Sequence, residues 1–331
     1  MSHAPTPQCL FQPIHEAASV ATAIPLPSTK LRKPSTKIYF QTGTPKTSLT
    51  SQDLREALAD VFKQLGPRKR VLLLPPDATR LFSRAGELTA ISHQLLGDAV
   101  ADIMPALGTH SPMKPDQLDM MFPGVPHDLF RAHRWRDDVV QLGEVPSEFV
   151  SEVTGGIYTQ PWPAQVNQML RDGGHDLIFS IGQVVPHEVI GMANYNKNVF
   201  VGTGGVSGIN ESHYLSAMVG IDQTLGIADT PLRKILNYAQ DHFCGDMPIV
   251  YALTVIEQLK DGSKHTRGYS SAIITTRFSK PPSSHVKSTS RTYRGPPNTW
   301  SPTWTPPNSR ALGWATKRST GLAKRSRPAG D

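Results

Sequence analysis

The chain has 331 residues, 38% of them hydrophobic, with two cysteines and a formal charge of +7. That is enough apolar material for a core, yet no apolar run approaches the ~20 residues a membrane helix needs. Cys9 and Cys244 exclude a disulfide framework and a cysteine-built zinc site, which fits a reducing, cytoplasmic compartment.

Residues 1–36 are rich in Pro, Ser and Thr and read as a flexible lead-in, without the basic-then-apolar order of a secretory signal. A first strand is expected at 37–43. The segment 50–66 is an amphipathic helix, with Leu54, Leu58, Val61, Phe62 and Leu65 at helical spacing and Gly66 at its end. "RVLLLPPDATR" (70–80) reads as a buried strand that stops at two prolines and enters a polar loop. A helix at 88–99, a strand at 101–110 and a short Pro-initiated helix at 115–122 follow. Next come a strand at 137–145, a helix at 163–174, a strand and loop at 175–187, and a strand at 198–205. A helix over 209–220, with Asn210 as its N-cap, completes the pattern.

Alternating strands and helices predict an α/β domain over 37–277, with a mainly parallel sheet and flanking helices. In such sheets ligands gather beyond the carboxyl ends of strands. The polar loops holding Asp77 and Arg80, His110, and His187 each follow a predicted strand, so one sheet edge is their expected meeting place.

Beyond Arg277 the composition changes. Residues 278–331 carry ten Lys or Arg and one acid, so the remainder has a net charge of −2. The overall basicity is therefore no argument that the folded part binds nucleic acid. This Pro/Ser-rich stretch, which includes Trp300, Trp304 and Trp314, reads as a disordered tail. It is either a genuine basic arm for nucleic acid or an acidic surface, or the product of a frameshift or mis-splicing.

Each polar residue has a bland reading. Asp77 caps a turn, Arg80 is a surface charge, and His110 is a loop histidine. "GTGGVSG" (202–208) suggests a phosphate cradle but lacks the GK[ST] ending and the GxGxxG order. His110, His187 and His213 suggest a zinc hydrolase, but no HExxH accompanies them.

Taken together, DATR, GTH and PH, then Lys197 ten residues on and His213 sixteen further, resemble the N-terminal domain of the nickel-pincer lactate racemase family. The resemblance spans about residues 37–277, with the basic tail standing where the family has a C-terminal domain. It implies an isomerase, a racemase or epimerase of a small lactate-like 2-hydroxy acid, impaired by truncation. The implied cofactor is the nickel-pincer nucleotide, a pyridinium-3-thioamide-5-thiocarboxylic acid mononucleotide holding nickel. Its makers, the cofactor-biosynthesis enzymes, are implied partners, and no membrane is. By the same resemblance Lys197 tethers the cofactor, Asp77 helps order it, and His213 ligates nickel. Arg80 holds the substrate carboxylate, and His110 and His187 are the two catalytic bases, one for each hand of substrate. The alternative is a catalytically inactive, ligand-binding remnant of the same fold. Where the family approaches its lysine through GFSGGxK, this chain reads "GMANYNK" (191–197), so Tyr195 and Asn196 are expected to crowd the cofactor's approach.

Overall fold

The computed structural model describes residues 35–275. The expectations for residues 1–34 and for the basic tail lie outside the described residues. Among the described residues no helix is long and apolar enough to cross a membrane.

The chain opens with β1 (Ser35–Gly43) and α1 (Ser51–Leu65). Thr50 and Asp53 form a reciprocal capping box, and α1 buries Leu54, Ala57, Leu58, Val61 and Phe62. The expected helix is thus set by its own cap and stripe. β2 (Val71–Leu74) is buried along its whole length. Pro75 and Pro76 end it, and a 3₁₀ turn over Ala78–Ser83 leads into α2 (Ala85–Leu96), three residues earlier than periodicity suggests. β3 (Val100–Ile103) and α3 (Pro115–Met121) follow.

β4 (Val139–Val145) does not join the main sheet; it pairs antiparallel with β5 (Trp162–Asn167), after α4 (Ser147–Thr154). β5 corrects the helix expected at 163–174. Trp162, Ala164 and Val166 point inward with period two, and only α5 (Gln168–Asp172), capped by Asn167, is helical. β6 (Leu177–Gln183) matches expectation. Two-residue strands β7 (Pro186–His187) and β8 (Gly191–Met192) form a small ladder.

The strand expected at 198–205 is instead a π-helical turn over Asn198–Gly202. Val199, Phe200 and Val201 are all buried, and a short apolar run reads alike as a buried strand or helix. α6 (Val206–Val219) starts at Gly205, not Asn210, so His213 lies mid-helix rather than near its start. α7 (Pro231–Phe243) and the hairpin β9 (Ile249–Gln258) and β10 (Lys264–Thr275) complete the fold.

The six-stranded sheet has the order β1-β10-β9-β6-β2-β3. β9, β6, β2 and β3 run parallel, while β10 and β1 add antiparallel. The mixed α/β class and the mainly parallel central sheet are as expected. Leu72 and Leu74 face the cluster built on α4, α6, α7 and the β4–β5 pair. Val71 and Leu73 face the cluster built on α1, α2 and α3. From β2 the chain proceeds to β3 on one side and later to β6 on the other. The order therefore reverses between β2 and β6, and the crevice beyond their carboxyl ends is the natural place for a ligand.

Candidate functional site

That crevice holds a cleft of about 180 Å³. Asp77, Arg80, His110, His187, Lys197 and His213 all line it. They arrive from the loops after β2, β3 and β6, the π turn and α6, so the sheet's strand order brings together residues spread over 137 positions of sequence.

Asp77 is buried and caps the 3₁₀ turn, accepting bonds from the Thr79 amide (3.1 Å) and hydroxyl (2.5 Å). Its other oxygen accepts from His110 Nδ1 at 2.6 Å. This fixes the His110 tautomer and leaves its Nε2 lone pair free. The Arg80 guanidinium is half-buried and has no hydrogen-bond or ion-pair partner among the described residues, which makes it a ready fork for a carboxylate.

His187 sits in a different environment. Its side chain is 10% exposed against 57% for His110. Its Nδ1 accepts the Val189 amide at 3.1 Å, so the neutral ring carries its proton on Nε2. Burial, reinforced by the charge of Lys197, lowers its pKa to about 4. His213 donates Nδ1–H to the Ile209 carbonyl at 2.7 Å, leaving Nε2 as a lone pair, the usual posture of a metal-ligating imidazole.

The Lys197 amine has no hydrogen-bond or ion-pair partner among the described residues. Burial, with Arg80 nearby, lowers its pKa to about 8, and Asp77 and Glu188 oppose the shift. A fraction of the amine is therefore neutral and nucleophilic near neutral pH. These two observations fit a cofactor joined through an amine and a metal that needs one protein imidazole.

Two readings that the sequence already disfavours find no support among the described residues. His110, His187 and His213 do not form a three-ligand metal site, and no cluster of three or more His, Cys, Asp or Glu suited to a metal occurs among the described residues. In the glycine-rich run, the Gly208 amide near the start of α6 is taken by Gln165 Oε1 at 3.1 Å and is not free for a phosphate. Nor does the segment before Lys197 crowd the cleft as expected. Tyr195 and Asn196 turn inward, the first bonded to Gln240 and the second to Asn237, and only Ala193 and Asn194 reach the cleft.

Sequence reasoning missed Thr79, which orients Asp77, and Glu188, which lies 3.8 Å from His187 Nδ1. Adjacency to singled-out residues was their only signal.

No protein-family model matches the chain, and no curated protein does. Among solved structures, it is similar to a structural-genomics protein from Thermotoga maritima, with 22% identity and a TM-score of 0.60 over 84% of this chain and 60% of that one. It is also similar to the lactate racemase apoprotein from Thermoanaerobacterium thermosaccharolyticum, with 18% identity and a TM-score of 0.45 over 68% of this chain and 49% of that one. The first likeness is one of fold alone, and the second is fainter. The chain spans 60% and 49% of those two proteins' lengths.

Proposed function

We propose that this cleft binds a small 2-hydroxy acid and inverts its α-carbon, with the nickel-pincer nucleotide held by Lys197 and His213. The observation that carries the reading is the convergence, in a single cleft at the sheet's switch point, of three histidines with an amine and a guanidinium that have no hydrogen-bond or ion-pair partner among the described residues. The bound cofactor would supply a hydride acceptor. The chain's own residues do the rest. Arg80 grips the substrate carboxylate in bidentate fashion. His110, held by Asp77, accepts the hydroxyl proton at Nε2 as the α-carbon becomes planar. His187 presents Nε2–H, which donates to a substrate oxygen. To act as base for the opposite hand, its ring must exchange tautomer and release the Val189 amide.

The test is co-expression with the cofactor-making enzymes followed by intact-mass and metal analysis. The expected result is an adduct on Lys197 with one nickel, with nickel reduced by His213→Ala, and interconversion of the hands of lactate or a related acid. No adduct and no nickel would overturn the reading. The more exposed position of His110 favours a second reading, a ligand-binding site without turnover. Adduct and nickel without interconversion of any 2-hydroxy acid would support it.

A further inference from the structure

Arg233 is buried on α7, and no carboxylate pairs with it among the described residues. A buried guanidinium without a counter-ion is expensive, and its acceptors show where it acts. Its Nη1 donates to Asn196 Oδ1, and its Nη2 donates to the carbonyls of Met192 (2.5 Å) and Asn194 (3.4 Å). All three acceptors lie in the segment that leads into Lys197.

Arg233 is one of four polar residues along one face of α7 and its N-cap. Thr230 Oγ1 donates to the Ile190 carbonyl at 2.9 Å, Asn237 Oδ1 accepts from Asn196 at 2.9 Å, and Gln240 Nε2 donates to Tyr195 Oη at 2.8 Å. Positions 230, 233, 237 and 240 recur at helical spacing, so a single stripe meets successive residues of segment 190–196.

That segment needs holding. Asn194 and Tyr195 have φ of +69° and +59°, the left-handed region that L side chains resist. Two consecutive non-glycine residues there persist only if their surroundings over-determine them.

We propose that the polar stripe of α7, with Arg233 at its centre, is the mount that forces segment 190–196 into its left-handed path and so presents the Lys197 amine to the cleft. Arg233 is thus a positioning residue acting through the loop. The inference rests on Lys197 being the reactive amine of the cleft, but its test needs neither cofactor nor substrate. Its failure is therefore separable from failure of the racemase reading. The charged and titratable groups around Lys197 are Arg80 and Asp77 from the loop after β2, His110 from the loop after β3, His187 and Glu188 from the loop after β6, His213 from α6, and Arg233 from α7.

The experiment measures the pH dependence of Lys197 acetylation by acetic anhydride in the full chain, resolved by peptide mass spectrometry, with Lys63 as exposed control. Four proteins are compared: wild type, Arg233→Lys, Arg233→Met, and Arg233→Met with Asn194→Gly. In Arg233→Met the Lys197 midpoint should rise by about one pH unit, because a nearby cation is lost and the freed loop meets water. Arg233→Lys, which keeps the charge but not the fork, should lie between. Glycine at 194 adopts the left-handed conformation without cost, so it should recover at least half of the displacement. A merely structural arginine would lower melting temperature without moving the Lys197 profile. A folded Arg233→Met with an unmoved profile, or no recovery on adding Asn194→Gly, would overturn the proposal. If Arg233→Met does not fold, an unmoved profile in Arg233→Lys does so.

Discussion

Lys197 burdens the fold that carries it. Its amine titrates near 8, where an ordinary lysine has 10.5, chiefly because burial strips water from the ammonium. At about 1.4 kcal/mol per pH unit, allowing for the water that still reaches a half-buried chain, the charged amine costs about 2–3 kcal/mol at pH 7. Methionine keeps the length and apolar stem without the charge. Lys197→Met should therefore be more stable than wild type by about 2–3 kcal/mol at pH 7. The sign with pH follows from proton counting. Between about 8 and 10.5 the unfolded chain holds the lysine proton more tightly than the folded one, so wild-type stability rises with pH across that window. The gain from Lys197→Met should shrink over the same window and vanish above it. Urea denaturation of both proteins from pH 7 to pH 11 reads the difference directly, and groups common to both cancel. A Lys197→Met protein no more stable than wild type at pH 7, or a difference that does not vary with pH, would refute the reasoning.

Other residues give sharp expectations. Asp77→Asn removes the carboxylate that holds the His110 Nδ1 proton, so ¹⁵N spectra should show His110 losing its single tautomer, and under the proposed function turnover should fall about 100-fold or more. His187 titrates near 4 instead of 6.5, so the unfolded state takes up its proton first on acidification. It should account for about 3 kcal/mol of the stability lost between pH 6.5 and 4, and acid denaturation of His187→Gln should be shallower there. Under the same proposal, Arg80→Gln should raise KM for a 2-hydroxy acid about tenfold or more without preventing adduct formation on Lys197, as expected for a carboxylate grip.

Much of the fold was legible because its signals are local. The capping box at Thr50 and the stripe from Leu54 to Phe62 specify α1 without help from the rest of the chain. The double proline after Leu74 ends β2 and sends Asp77 and Arg80 into a loop. β5 was misread because Trp162, Ala164 and Val166 alternate for only six residues before a helical turn, too short a run for its period to stand out. α7 went unassigned although Thr230 caps it, Pro231 opens it and Leu232, Ile235, Leu236 and Ala239 recur at helical spacing.

By itself the sequence determined which residue types stand after which strands: an acid and an arginine after β2, a histidine after β3, a histidine after β6. Their meeting required β6 to add beside β2 on the side away from β3. That is a non-local choice, made by burying both faces of β2 under helices distant in sequence. The differences between the histidines were likewise invisible, because His110 takes its tautomer from a carboxylate 33 residues away and His187 is kept neutral by burial. The stripe on α7 is the clearest case. A polar face at 230, 233, 237 and 240 reads as a solvated surface, and only the packed structure turns it inward onto the segment before Lys197, since hydrogen-bond partners about 40 residues apart are chosen by tertiary contact rather than by local propensity.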